Sequence, residues 1–359
     1  MKIAVISVSN IYCMPYYYKY ENNICKLNGG FDLIYWNRDL IDEDVKPNVV
    51  KYAFEEKTTY NDKNFLKIVS FYKFYRFVLN LLEKNSYDKI FILGTYSLLT
   101  FFLEPYLVKN YNGRYWLDIR DYTYENISWY YKREEKLIRN SYMTCISSEG
   151  YKEFLPKEDY LIVHNVDEEA INDYKMILYK TRNKQEDIIR ISFIGNVRYK
   201  EQNRKLIEVF KNDKRFCLQY FGGGSEEIKK IADELAADNV ICKGRFPHEE
   251  TYKYYHETDI INNCYGNDGA ELQTALSNKI YFAAFLKKPI LVSPNTYMEK
   301  LSTDIGIGFC VGDMDKDLPS RLYNWYTNSF TKDKVKENFI EKVAKDNELF
   351  YVELKKFIS

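Results

Sequence analysis

Histidine is scarce in this chain. Only His164, His248 and His256 occur in 359 residues, and the eight-residue gap between the last two matches no recognised ligand spacing, so a histidine-built metal centre is not expected. Cysteine offers no substitute: the seven cysteines include no CxxC pair and form an odd total, which argues against a zinc site and a disulfide framework and for a reducing compartment. Net charge is missing as well. Lys+Arg and Asp+Glu both number 52, so no global positive field draws the chain to nucleic acid. SVSNIYCMPY, at the end of the first apolar run, has no glycine, which excludes a dinucleotide fingerprint there. An uninterrupted apolar run is also lacking: Ile90 to Val108 carries Gly94, Glu104 and Pro105 and reads as a buried strand, a turn at Gly94-Thr95 and a sheet-packed helix. Met1-Lys2 leads straight into IAVISVS, a buried strand rather than the apolar part of a secretory leader, and a cytoplasmic location is expected.

What the chain does have is a globular balance, 46% hydrophobic and 29% charged residues, so disorder is not expected. Its 35 Tyr and 22 Phe accompany many Lys and Asn and are read as compositional rather than as a binding surface. A length of 359 residues exceeds the usual size of one core. Strand-like and helical runs alternate through KIAVISVS, a helix around Tyr17 to Leu27, FDLIYWN, VVKYAFEE, a helix from about Asn64 to Glu83, DKIFILG, another helix and RYWLDIRD. The pattern breaks around Glu149 to Asn172 and through the polar stretch Lys180 to Asp187, then restarts with RISFIG, FCLQYFG, NVICKG, DIINNCY, PILVS and IGFCVG, helices intervening. Such alternation predicts parallel sheets with helical crossovers. The expected organisation is α/β, two Rossmann-like halves: an N-terminal domain over 1–170, a linker over 171–187 and a C-terminal domain over 188–359, whose closing helices from Leu318 to Phe357 pack back as amphipathic surface helices.

Ligands on parallel sheets collect at the carboxyl ends of strands. In the first half this points to Ser9, Asn10 and Tyr12 and to Asp118, Arg120 and Asp121, with a structural ion pair to Arg120 or Arg114 equally open for the two aspartates. In the second half Gly195-Asn196-Val197-Arg198 ends a strand, where Gly195 permits close backbone approach and Arg198 offers a fork to phosphate oxygens. Gly222-Gly223-Gly224-Ser225 ends another strand and opens a helix whose free N–H groups favour an anion, although a tight turn explains the glycines equally well. The segment Glu271 to Ser293, ELQTALSNKIYFAAFLKKPILVS, reads as one amphipathic helix and a strand, with Leu272, Ala275, Leu276, Ile280, Ala283 and Ala284 on an apolar stripe. Asn278 and Lys279 then fall near the middle of that helix, Lys279 as a compact cation for phosphate with Asn278 beside it.

The order of these second-half segments resembles the donor domain of GT-B glycosyltransferases, above all the retaining family-four enzymes of bacterial surface polysaccharide synthesis, such as capsule or O-antigen. FIGNVR, QYFGGGSEEIKKIA, NVICKGRFPHEETYKYYHETDIINNCY and ALSNKIYFAAFLKKPILVS carry it, and VHNVDEEA resembles that family's domain-joining segment. The resemblance implies a GT-B fold, two Rossmann-like domains facing across a cleft, with a nucleotide-sugar donor on the second domain and a glycan or lipid-linked saccharide acceptor on the first. It implies hexosyl transfer with retention and without a metal or other cofactor. By the same resemblance Gly195 and Arg198 fall in the loop that meets the donor phosphates, Lys279 sits on the helix that approaches the donor, Arg245 and Phe246 border the base, and Asp268 and Glu271 lie in the loop that approaches the sugar; Asn196, Gly222, Gly223 and Tyr265 are counted with them as donor-binding residues. Asn278 stands beside Lys279 on the donor helix, and Asn10, Asp118 and Asp121 fall on the acceptor side. Glu271, Arg198 and Lys279 are the expected catalytic groups.

The pattern departs from the family at one place. An acidic residue usually follows the Asn-Lys pair by three or four positions and accepts ribose hydroxyls, whereas this chain has Tyr281-Phe282-Ala283, and Phe accepts no such bond. The family's paired glutamates are missing with it, Thr274 and Phe282 standing in their places. Either Glu271 substitutes, ribose is held differently, or donor affinity is poor. Two other functions stay open: a sugar-nucleotide epimerase of the same fold, against which the shortage of histidine counts, and a non-catalytic partner subunit. The helix from Asn64 to Glu83 mixes Lys67, Lys73 and Arg76 with Phe and Tyr, a composition that suits a sheet-packed helix with a solvated basic face or peripheral contact with the inner face of a membrane.

Overall fold

The computed structural model describes residues 1–57, 64–94, 97–166, 188–247 and 250–359. The expected linker, Thr95 of the expected turn, and His248 and Glu249 lie outside them. Contacts divide the chain into two units, Met1–Asn165 with Ala344–Ser359, and Val166–Val343. The segment Ala344–Ser359 thus groups with the first unit, whereas the boundaries drawn from sequence place it in the second domain.

The first unit runs β1 (Ile3–Ser7), α1 (Tyr17–Asn28), β2 (Phe31–Asn37), β3 (Val49–Glu55), α2 (Asn64–Asn85), β4 (Lys89–Leu93), α3 (Ser97–Asn110), β5 (Tyr115–Ile119), α4 (Ser128–Asn140), β6 (Met143–Ile146) and β7 (Leu161–Ile162). Its seven strands pair in parallel in the order β3-β2-β1-β4-β5-β6-β7. Every residue of β1 and β5 is buried, because crossover helices cover both faces of a parallel sheet. On one face Val5, Leu33, Phe91 and Trp116 pack with Tyr17, Tyr20 and Ile24 of α1 and with Phe350, Leu354 and Phe357 of the last helix. On the other, Trp36 is boxed by Phe54, Phe71 and Phe74 at centroid distances of 5.0–5.5 Å. Much of the aromatic content is therefore interior, each ring contributing about 1.5–3 kcal/mol by leaving water.

The second unit runs β8 (Ile189–Ile194), α5 (Lys200–Phe210), β9 (Phe216–Phe221), α6 (Ser225–Glu234), β10 (Val240–Lys243), α7 (Thr251–Glu257), β11 (Ile260–Asn263), α8 (Ala270–Thr274), α9 (Lys279–Phe285), β12 (Ile290–Val292), α10 (Tyr297–Ile305), β13 (Gly308–Cys310), α11 (Leu318–Asn324) and the start of α12 (Asn338–Ile358), which from Ala344 onward belongs to the first unit. Six parallel strands lie in the order β10-β9-β8-β11-β12-β13. One face is packed by α5, α6 and α11 through Leu206, Ile228 and Leu322, the other by α7, α9, α10 and the start of α12 through Tyr254, Ile280, Met298 and Phe339. Among the described residues no helix is long and apolar enough to cross a membrane; the strand and the helix expected between Ile90 and Val108 are β4 and α3.

One expected element is corrected. The helix read from Glu271 through Ala284 is two: α8 ends at Thr274, Ala275 turns to φ −66° and ψ 150°, and α9 begins only at Lys279. The apolar spacing continues across the break, but Ser277 and Asn278 compete for the backbone. Ser277 Oγ accepts from the Lys279 N–H at 3.4 Å and its carbonyl from the Ile280 N–H at 3.0 Å, so the sequence restarts a helix there. Lys279 consequently opens a helix instead of sitting mid-helix.

Candidate functional site

The second sheet reverses its winding between β8 and β11, so the loops leaving these neighbours part at the carboxyl edge, the usual ligand position of a doubly wound sheet. After β8, Gly195 takes φ 111° and Tyr199 takes φ 60°, ψ 55°, a left-handed conformation that costs a tyrosine about 1–3 kcal/mol. Asn203 holds that turn by donating from Nδ2 to the Arg198 carbonyl at 2.8 Å. After β11, the Gly266 N–H donates to Ser293 Oγ at 2.8 Å and Asn267 Nδ2 to the Pro294 carbonyl at 3.1 Å, which tie this loop to the end of β12.

Between these loops lies an aromatic and cationic cluster. The Tyr199 and Tyr265 rings stack with centroids 4.5 Å apart. Lys279 Nζ donates to Tyr265 Oη at 2.7 Å and sits 3.8 Å above the centre of the Phe193 ring, with the side chain only 6% exposed. No carboxylate among the described residues comes within ion-pair distance of that ammonium, which is held by a π-face and a phenol oxygen instead. Burial pushes the Tyr199 phenol above its ordinary value; nearby Tyr265 and Glu271 push the same way, and the Arg198 guanidinium opposes them. Lys279 thus bonds Tyr265, while Arg198 and Glu271 act electrostatically on the phenol of Tyr199 stacked beside it. Tyr199 and Phe193 were not singled out from sequence, and no local signal marks them: the left-handed turn of Tyr199 uses no glycine or asparagine.

The other expected donor residues divide. Asn196, Asp268 and Asn278 are exposed on the same loops and at the start of α9. Gly222 and Gly224 are required by packing: a Cβ at Gly222 would lie 1.9 Å from the Gly195 carbonyl oxygen, and one at Gly224 would lie 2.4 Å from that of Val197. Glu226 Oε2 already accepts from the Gly224 N–H at 3.1 Å, so the chain's own carboxylate occupies the start of α6 that was read as an anion cradle. Gly223 lies under the exposed Arg245, whose Nε would be 3.1 Å from an added Cβ. Phe246 is half-buried and packs its ring against Tyr254 at 4.3 Å. Phe282, at the position of the missing acid, stacks on Tyr255 at 4.1 Å and 11°.

In the first unit two expected acceptor residues are corrected. Asn10 is buried, and its amide is fully used: Nδ2 donates to Asn37 Oδ1 and Glu43 Oε2, both at 2.9 Å, while Oδ1 accepts from the Arg38 and Asp39 N–H groups at 2.9 and 3.2 Å. It ties down the turn after β1. Asp118 has no exposed surface; Arg120 Nη2 lies 2.6 Å from Oδ2 and Nε 2.5 Å from Oδ1, and Tyr20 donates to Oδ2. Burial alone would draw the Arg120 guanidinium down, but the Asp118 carboxylate and Tyr20 outweigh it and hold it above its ordinary value. Of the two readings left open for Asp118, the structural ion pair is the one present. Asp121 stands exposed just beyond β5.

No protein-family model and no curated protein sequence matches the chain. Solved structures do. Sucrose-phosphate synthase from Thermosynechococcus elongatus superposes with a TM-score of 0.68 at 12% identity, covering 100% of this chain and 94% of that one. HepE from Anabaena, in complex with UDP and glucose, gives 0.64 at 11%, covering 99% and 100%. A Listeria monocytogenes chain with a provisional UDP-N-acetylglucosamine 2-epimerase assignment gives 0.56 at 11%, covering 93% and 90%. At such identities the likeness speaks for architecture, and with the two parallel, doubly wound sheets it makes the fold of this chain GT-B.

Proposed function

We propose that this chain is a glycosyltransferase that moves a hexose from a nucleoside diphosphate donor to a hydroxyl of a glycan or lipid-linked saccharide. The observation that carries the reading is Lys279: a buried ammonium without a carboxylate partner among the described residues, fixed by Phe193 and Tyr265 at the winding reversal of the second sheet. A buried cation normally has its counter-charge in the fold, so one that lacks it is prepared for an anion brought by a ligand. The diphosphate of a sugar nucleotide supplies that anion, and its charge grows as the glycosidic bond breaks. Lys279 and Arg198 take up this charge, while Glu271 accepts hydrogen bonds from sugar or ribose hydroxyls in place of the acid that Phe282 displaces. With the leaving phosphate taking the acceptor proton on the same face, transfer proceeds with retention and asks for no metal. The GT-B fold supports the reading, and HepE, of the same fold, holds UDP and glucose.

The stacked Phe282 favours a second reading, a non-catalytic partner subunit of the same fold, because the ring gives ribose nothing to bond. A thermal-shift screen of UDP-, GDP-, dTDP- and CDP-sugars separates the two: a ligand of the folded state raises apparent stability by about 2.7 kcal/mol at a hundredfold excess over Kd. A stabilising donor followed by measured transfer of its labelled sugar supports the enzyme, and no stabilisation by any donor overturns it. Retention is read by NMR of the product anomer, metal independence by turnover in EDTA, and peripheral attachment by flotation with anionic liposomes.

A further inference from the structure

The phenol of Tyr265 has more hydrogen-bonding capacity than the fold uses. A phenol carries one proton to donate and lone pairs with which to accept. Lys279 Nζ, which can only donate, takes up the accepting side at 2.7 Å, so the Tyr265 proton is not spent on it. The other polar neighbour of Tyr265 Oη among the described residues is Ser277 Oγ at 3.4 Å, well beyond the roughly 2.7–2.8 Å at which hydroxyls usually bond. Ser277 Oγ also faces the Lys279 N–H, at 3.4 Å.

The ring that carries this hydroxyl is held in place. Tyr199 stacks on it with centroids 4.5 Å apart and planes 28° apart, and Phe193 lies against it at 5.7 Å. Its chain neighbours are pinned as well, since the Cys264 N–H donates to Asn262 Oδ1 at 2.9 Å and the Gly266 N–H to Ser293 Oγ at 2.8 Å. A group fixed in this way needs little reorganisation when a ligand arrives, and a hydroxyl that accepts from a cation donates more strongly in turn. Tyr265 is half-buried in the loop that leaves β11 at the carboxyl edge, beside the winding reversal where ligands collect.

We infer that Tyr265 is a catalytic residue, whose O–H bonds an oxygen of the diphosphate and strengthens that bond as the leaving group gathers charge. The inference rests on the glycosyltransferase reading above and adds a neutral hydrogen-bond donor to its two cations. The electron pair of the breaking glycosidic bond and the proton of the acceptor hydroxyl both go to the phosphate, while Tyr265 keeps its own proton throughout. Lys279 then has two tasks: its charge faces the diphosphate, and its bond to Tyr265 Oη reinforces the phenol as a donor.

The alternative is that Tyr265 Oη only seats the buried ammonium, and a double-variant cycle separates the two. The unmodified chain, Tyr265→Phe, Lys279→Met and the double variant are titrated in a calorimeter with UDP, GDP, dTDP and CDP. Phenylalanine keeps the ring and its stack on Tyr199 and removes only the oxygen. The best-bound nucleotide is expected to bind Tyr265→Phe about tenfold more weakly, and turnover of the matching labelled sugar nucleotide falls about a hundredfold. A phenol that touches phosphate matters even when the ammonium is gone, so in the Lys279→Met background the same change still weakens binding at least about threefold. No ammonium is left without its acceptor in that background, which keeps the comparison valid if Tyr265→Phe alone lowers the urea midpoint. Equal binding by Lys279→Met and the double variant overturns the inference, as does undiminished turnover in Tyr265→Phe. If no nucleoside diphosphate binds the unmodified protein, the glycosyltransferase reading falls and takes the inference with it; binding that is equally tight in Tyr265→Phe overturns the inference alone.

Discussion

Replacement of Lys279 by methionine separates a ligand-binding lysine from a structural one. Methionine keeps the length and apolar stem of the side chain and removes only the ammonium. In the fold the ammonium gains about 2 kcal/mol from the desolvated face of Phe193 and about 1 kcal/mol from its bond to Tyr265 Oη. Against these stands a desolvation cost of several kcal/mol for a cation at 6% exposure. The terms nearly cancel, and Tyr265 Oη keeps a hydroxyl neighbour in Ser277 Oγ at 3.4 Å, so Lys279→Met is expected to change unfolding stability by no more than about 1 kcal/mol, in either direction. The diphosphate has no such compensation. Loss of a charge-assisted bond costs about 1.5–3 kcal/mol, which weakens UDP by roughly tenfold to a hundredfold, and the loss in turnover is larger, about a hundredfold or more, because charge grows on the leaving group. Urea denaturation and calorimetry with UDP, run on the same preparations, check both halves. Unchanged UDP affinity refutes the assignment of Lys279 to the donor phosphates. A stability loss above about 3 kcal/mol with parallel loss of binding shows instead that the ammonium serves the fold.

Three further outcomes follow from the geometry. Gly222→Ala places a Cβ 1.9 Å from the Gly195 carbonyl oxygen at φ 128° and is expected to destabilise the second unit by about 3 kcal/mol or more, read as a lowered urea midpoint; a neutral effect would show that the two loops are not packed this closely. Asp118→Asn leaves the Arg120 guanidinium buried without its counter-charge and costs about 3–5 kcal/mol in the same assay, whereas an acceptor-binding aspartate would lose activity at unchanged stability. The Cys242 and Cys310 thiols are both pushed up to about 11 from the ordinary 9.0, by burial first and for Cys310 also by its bond to Glu299. A raised folded value favours the protonated thiol, so the stability they lend is whole below about pH 9 and is lost as pH rises towards 11. The double variant with alanine at both positions flattens this alkaline limb, and an unchanged slope would assign the decline to other groups.

The strands were legible because a parallel strand covered on both faces reads as a short apolar run, and IAVIS, KIFIL and IRISFI appear as β1, β4 and β8. The break between α8 and α9 was not, since Leu272, Leu276 and Ile280 keep helical spacing across it and only the backbone bonds of Ser277 reveal the restart. Position at a strand end says little about whether a side chain spends its polar atoms inside the fold. Asn10 and Asp118 occupy such positions and spend their polar atoms inside the fold, Asn10 on Asn37 and Glu43 and Asp118 on Arg120 and Tyr20. The burial of Lys279 beneath Tyr265 depends on residues distant in sequence and left no local mark. The glycines of Gly222–Gly224 show the limit most plainly: a loop that must touch another loop and a loop that must touch phosphate need the same residue.

The last helix divides its loyalty. Phe339 and Val343 complete the interior of the second unit, and Phe350, Leu354 and Phe357 that of the first. During synthesis the first unit therefore cannot close its own interior when residues 1–165 have emerged; it must wait for the whole second unit to be made, a delay of roughly ten seconds or more. Throughout that interval Tyr20, Phe91 and Trp116 lack their aromatic cover, which makes the half-finished chain a natural client for chaperones. A nonsense mutation after Val343 would then injure the part of the protein made first, leaving the part made last nearly complete.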